Sequence, residues 1–125
     1  MNGLPPYGEL LRIRVVNEGG GVRLVMPFHD DVLGRPGFLH GGAIAGLLEL
    51  AGYAALREAI DDPDVRLKPV TITVDFLRGG TELETWAAGR VKRLGRRVAN
   101  VEVAAWQEDE ARPIATARMN VMVRR

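Results

Sequence analysis

The sequence predicts an α+β domain: one long central helix wrapped by a curved antiparallel sheet of about six strands. Three observations predict it. The stretch from Gly41 to about Ile60 is dominated by Ala, Leu and Glu, all good helix formers. Six other stretches read as short strands, most of them showing two-residue alternation and bounded by Gly, Pro or charged turns. The helix is apolar around almost its whole circumference, so it must be covered on most sides.

Taken in order, Leu10 to Asn17 reads as a strand, Gly19-Gly20-Gly21 as a turn and Val22 to Phe28 as its antiparallel partner. His29 to Leu39, with Asp30, Asp31, Gly34, Pro36 and Gly37, reads as a loop. The helix follows and is stopped by Asp61-Asp62-Pro63-Asp64, because proline neither continues a helix nor tolerates one immediately before it. Leu67 to Leu77 alternates, with Val70, Ile72, Val74 and Phe76 on one face and Thr71, Thr73 and Asp75 on the other. Leu83 to Arg93, Val98 to Gln107 and Pro113 to Val123 complete a meander, joined by tight turns. Ala115, Ala117, Met119, Val121 and Val123 form its cleanest apolar face. Short connections favour antiparallel neighbours.

Length predicts a single domain spanning residues 1–125. The 17 basic and 16 acidic side chains leave a net charge of +1, so neither nucleic acid nor an anionic membrane is an expected partner. The chain has no cysteine and no serine. That removes disulfides, thiolate nucleophiles, thiolate metal sites and the Ser-His-Asp class of hydrolase. With two histidines, His29 and His40, a multi-histidine metal site within one chain is not expected, and no metal or separate cofactor is anticipated. Met1 to Tyr7 has no apolar run of the signal-peptide kind. The longest apolar stretch, Gly41 to Leu56, is too short to span a bilayer and contains Glu49. A cytoplasmic protein is the expectation.

Glu49 is the one charged residue between Gly41 and Leu56. A carboxylate on a buried helix is costly to ionise unless it is paired or hydrogen-bonded. Tyr53 lies four residues on and shares its face, and Gly46 near the same side could leave a groove beside them. Glu49 thus reads either as a general base or nucleophile facing a cleft, or as a carboxylate on a narrow solvent stripe with Arg57.

The helix begins at His40-Gly41-Gly42. Glycine is unfavourable in a helix interior by roughly 0.5–1 kcal/mol against alanine, so two at a helix start suggest close approach of the backbone to something. The first amides of a helix lack intrahelical partners and can receive a polarised carbonyl oxygen; the plainer alternative is a glycine-rich start with His40 as an imperfect cap. Gly41 and Glu49 are eight positions apart, about 12 Å along a helix axis. One carbonyl group cannot meet both within one chain. If both act on one substrate, they come from different subunits with antiparallel helices.

His40-Gly41-Gly42, the apolar helix with its acid at Glu49, and the stretches VTITVDFLRGG and GRRVANVEVAAW together resemble the hotdog-fold thioesterases of the phenylacetate-degradation (PaaI) type, within the 4-hydroxybenzoyl-CoA thioesterase superfamily. The resemblance runs from about Gly34 to Val123. It implies hydrolysis of an acyl-CoA thioester, aryl or of short to medium chain, with coenzyme A entering as part of the substrate. It assigns the Gly41 amide to polarising the carbonyl, Glu49 of the adjacent subunit to activating water or attacking directly, and His40 to positioning. Gly42, Phe38, Tyr53, Thr71, Thr73 and Asp75 become candidate substrate contacts, and Arg96 and Arg97 candidates for the CoA phosphates. It also implies self-association, as a dimer or as a tetramer built from two dimers. One position departs from the pattern: many members carry Asn or Gln six residues before the motif histidine, where this chain has Gly34. Two alternatives share the fold, a hydratase or dehydratase using a loop histidine such as His29, and a non-catalytic acyl-CoA-binding protein.

Overall fold

The computed structural model describes residues 4–17 and 19–125. A short helix, α1 (Pro6–Leu10), precedes the hairpin of β1 (Arg14–Asn17) and β2 (Val22–Met26). A 3-10 turn at Asp30–Val32 leads to the long helix α2 (Gly41–Ala59). Four strands follow: β3 (Arg66–Phe76), β4 (Thr85–Leu94), β5 (Val98–Trp106) and β6 (Ala115–Arg124). The six strands form one antiparallel sheet in the order β1-β2-β4-β5-β6-β3.

The expected strands are present within one or two residues at most ends. The exception is the N-terminal segment. Leu10 is the end of a helix rather than the start of a strand, and β1 begins only at Arg14. Proline is well suited to a first helical position, where no N–H is needed, and Pro6 opens α1. The segment then turns through Arg12, whose φ of 59° is left-handed. Leu11 is 3% exposed, and its carbonyl accepts a hydrogen bond of 3.0 Å from Nε2 of the buried His29. The N-terminal segment is therefore tied into the domain.

α2 lies across the sheet and buries Leu47, Leu48 and Leu56 completely against Leu24, Met26, Val101, Met119 and Val121. Full burial of one such aliphatic side chain contributes about 1.5–3 kcal/mol. Close approach depends on glycine where β4 crosses the helix: a Cβ at Gly89 would stand 2.9 Å from Ala55 Cβ and 3.1 Å from the Ala51 carbonyl oxygen. The helix ends one residue before Ile60, whose N–H bonds back to the Leu56 carbonyl.

This chain leaves one stripe of α2 incompletely covered. Gly42, Ala45, Gly46, Glu49 and Tyr53 recur at three- or four-residue spacing and are half-buried or exposed, whereas Ala43, Ile44, Leu47, Leu48, Leu50 and Ala51 are buried. β3 forms one edge of the sheet, pairing only with β6. Its alternation is broken by a register shift between Pro69 and Thr71. Ile72 and Val74 pack on the core, whereas Val70 and Phe76 are each 55% exposed.

Candidate active site

The His40-Gly41-Gly42 turn is built by local bonds. The N–H of His40 donates to the Val32 carbonyl at 2.8 Å, and that of Leu39 to the Gly80 carbonyl at 2.9 Å. His40 has extended dihedrals, φ −67° and ψ 130°, and caps α2 directly: its Nδ1 accepts the Gly42 N–H at 2.9 Å. Nδ1 must be unprotonated to accept, so a neutral ring carries its proton on Nε2. A Cβ at Gly42 would come within 2.9 Å of the imidazole, so the second glycine is what lets the ring fold over its amide. The N–H groups of Ala43 and Ile44 both reach the His40 carbonyl, at 3.0 and 3.2 Å. Among the described residues, Gly41 is thus the one position in this first turn whose N–H has no partner. The exposed ring of Phe76 flanks it, 3.6 Å from where a Cβ of Gly41 would stand.

Gly34 stands directly behind this turn. Its N–H donates to the Phe38 carbonyl at 2.9 Å, and a Cβ there would come within 3.0 Å of His40 Cα and 3.2 Å of its N. An Asn or Gln at this position requires the His40 backbone to shift, which is a packing reason for glycine. Phe38 is half-buried, with its ring against Gly79 and under the Arg35 guanidinium, 4.6 Å from the ring centroid.

Glu49 sits in the middle of the open stripe. It is half-buried and makes no ion pair among the described residues. Tyr53, one turn on, has a buried hydroxyl with no hydrogen-bond partner. Burial, and secondarily the charge of Glu49, push its phenol up to about 12. Arg57 does not join this pair; its guanidinium donates to the Val65 carbonyl. The groove expected beside Gly46 is filled. The ring of Tyr7 from α1 packs where a Gly46 side chain would be, and its hydroxyl donates to the Gly42 carbonyl at 3.4 Å. Sequence reading missed Tyr7, and no local signal marks a contact made across 35 residues or more.

The remaining candidates are dispersed. Thr71 accepts from Asn120, which in turn accepts from Asn100, so Thr71 belongs to a polar ladder with Asn100 and Asn120. Ile72 and Val74 face the core, which leaves Thr71, Thr73 and Asp75 on the opposite sheet face, not beside Gly41 or Glu49 of this chain. Arg96 and Arg97 line a shallow depression with Arg93, Gly95, Val98 and Asn100 at the β4–β5 turn. β4 meets α2 at Ala51, Gly52 and Ala55 through Gly89, so this turn lies toward the C-terminal end of the helix, away from Gly41. His29, the loop histidine of the hydratase alternative, is buried; its Nε2 donates to the Leu11 carbonyl and its Nδ1 has no hydrogen-bond partner among the described residues. Among the described residues no cluster of three or more His, Asp or Glu side chains could hold a metal ion. No helix among them is long and apolar enough to cross a membrane.

One long helix laid across a curved, six-stranded antiparallel sheet is the hotdog fold, and solved structures of that class superimpose closely. A protein of Bacillus halodurans, solved with CoA, matches at a TM-score of 0.88 over 100% of this chain and 82% of its own, with 16% identity. A protein of Chromobacterium violaceum is 30% identical, TM-score 0.78, over 96% of this chain and 83% of its own. A mutant thioesterase of Pseudomonas aeruginosa is 26% identical, TM-score 0.81, over 94% and 84%. A comparison with curated proteins gave no match. Residues 36–114 match the family model of the thioesterase superfamily, and the chain belongs to that family. It is a thioester hydrolase.

Proposed function

We propose that the chain hydrolyses acyl-CoA thioesters to free acid and CoA, in the manner of the phenylacetate-degradation branch of its family and in the cytoplasm. Each active site is shared between two subunits. One observation carries the reading. The unpartnered N–H at Gly41 and the unpaired carboxylate of Glu49 stand on the same helix, separated by about 12 Å of helical rise, the first exposed at the helix start and the second on the stripe that this chain leaves open. A second antiparallel copy of α2 brings each amide opposite the other subunit's carboxylate.

In this reading the Gly41 N–H, at the positive end of α2, donates to the thioester oxygen and holds the charge that develops there. Glu49 takes a proton from water, and the water oxygen bonds to the carbonyl carbon. The tetrahedral oxyanion collapses, the C–S bond breaks, and the departing sulfur receives the proton from Glu49. The products are the carboxylic acid and the CoA thiol. Direct attack by Glu49 would pass instead through an anhydride that water then opens. His40 keeps the Gly42 N–H occupied and so fixes the turn that presents Gly41. Arg96 and Arg97 offer guanidinium groups to the CoA phosphates. The long edge strand β3, with Val70 and Phe76 exposed, supports the self-association, because an unpaired edge is a ready template for a second strand. A dimer, or a pair of dimers, satisfies it. The CoA found with the Bacillus halodurans relative supports the choice of thiol.

The test is thiol release from a panel of aryl-, short- and medium-chain acyl-CoA thioesters. The wild type is expected to turn over at least one class. Glu49→Gln is expected to lower kcat by roughly 10²–10⁴-fold, the range for losing a positioned base, with the oligomer intact by light scattering. Unchanged turnover in that variant removes Glu49 from the mechanism.

A further inference from the structure

We infer that Tyr7 is the acyl-facing wall of the site and sets the length of acyl group accepted; this rests on the proposed reading that Glu49 acts at the thioester and that Arg96 and Arg97 receive the CoA phosphates. Three observations converge on it. First, Tyr7 occupies the open stripe of α2 rather than the core. Its ring lies where a Gly46 side chain would project, with Cζ 3.1 Å from that Cβ position, and its hydroxyl reaches Gly42. Positions 46 and 49 are neighbours on one helix face, with Cβ positions roughly 5–6 Å apart, and helical side chains lean toward the N-terminus. Glu49 therefore leans toward the turn that Tyr7 covers.

Second, Tyr7 is held from behind and open in front. Gly8 and Leu11 of the same segment are buried, and His29 binds the Leu11 carbonyl, yet Tyr7 itself is 45% exposed. A ring that is anchored but exposed on one side can present that side to a ligand.

Third, the order of groups along α2 gives the substrate a direction. The Arg96–Arg97 turn lies toward the C-terminal end, Tyr53 and Glu49 follow, and Tyr7 stands on the N-terminal side of Glu49. With phosphates toward the arginines and the carbonyl at Glu49, the acyl group extends toward Tyr7. The groove over Gly42 and Gly46 is the path a longer chain would take, and the tyrosine ring fills it. The acyl class this admits is short or aryl, which ends against the ring, rather than a long alkyl chain.

The experiment measures kcat/KM for butanoyl-CoA, benzoyl-CoA and decanoyl-CoA by thiol release. Tyr7→Ala is expected to raise the decanoyl-to-butanoyl ratio about tenfold or more, the scale of discrimination that pocket size supplies. Tyr7→Phe keeps the ring and is expected to keep the wild-type ratio. Gly46→Ala reaches the same groove from the helix side, where its methyl would displace the ring, and is expected to move the ratio in the same direction as Tyr7→Ala. Equal loss on all three substrates in both Tyr7→Ala and Gly46→Ala would make Tyr7 a packing residue and overturn the inference. That outcome leaves the hydrolase reading standing. No hydrolysis of any of the three by the wild type overturns both.

Discussion

At the start of α2 two adjacent glycines serve different ends. Gly42 leaves room for the His40 imidazole to fold back onto its own N–H, and Gly41 keeps an N–H free beside the Phe76 ring. Their presence at a helix start was legible in the sequence as a demand for close approach, but which amide stays free depends on the capping bond, which spacing does not reveal. Glu49 was legible for the same kind of reason, as one charge in an apolar helix. Its neighbour Tyr53 yields a prediction at this scale. Burial, with the charge of Glu49, pushes the phenol from its ordinary value of 10 up to about 12 in the folded chain. The folded state therefore holds the proton more tightly, and that contribution to stability is complete below pH 10. It declines as pH rises from 10 to 12, since the unfolded chain ionises first. Thermal melts of wild type and Tyr53→Phe across this range are expected to diverge: the wild type loses melting temperature more steeply. Parallel curves would show that the phenol is not held in this way.

The elements divide by how local their causes are. α2 and the strands of the C-terminal meander carry their own periodicity, and their ends fell close to the Gly, Pro and Asp clusters that bound them. α1 did not show in the sequence because five residues opening on Pro6 have no period to read, and its stability comes from burying Gly8 and Leu11 against the rest of the chain. The alternation of β3 was legible as far as Ile72 and Val74. Val70 departs from it at a register shift that composition does not announce. The crossing of β4 over α2 gives the prediction for this scale. At Gly89 the nearest neighbours include the Ala51 carbonyl and the Gly52 Cα, which are backbone and cannot rotate aside. Gly89→Ala is expected to reduce stability to urea by about 1–3 kcal/mol, the cost typical of overpacking. A change below a few tenths of that would mean the sheet and helix separate freely here.

For the molecule as a whole, the fold followed from one question: what covers a helix with almost no polar face. A curved sheet covers most of it; the stripe left over carries Glu49, and the Gly41 N–H is left without a partner at the helix start, the two groups on which the proposed chemistry rests. In the proposed reading the site is incomplete in a single chain; the eight-residue spacing in the sequence pointed to a second subunit, but the surface on which the two copies meet is not written in any one stretch of it. The rise of about 12 Å along α2 between Gly41 and Glu49 is what makes the proposed site a shared one, and complementation of subunits tests that sharing directly. Gly41→Pro removes the N–H at a helix position where proline is tolerated, after a His40 already in the extended conformation that proline requires. Glu49→Ala removes the carboxylate. Each variant alone is expected to be inactive in thiol release. When the two are unfolded together, refolded and allowed to pair, half of the dimers are mixed, and each mixed dimer regains one complete site of two. The mixture is expected to recover about a quarter of wild-type activity, as follows from a two-fold symmetric interface. A mixture that stays as inactive as its components, although mixed dimers form, would contradict a site shared between subunits.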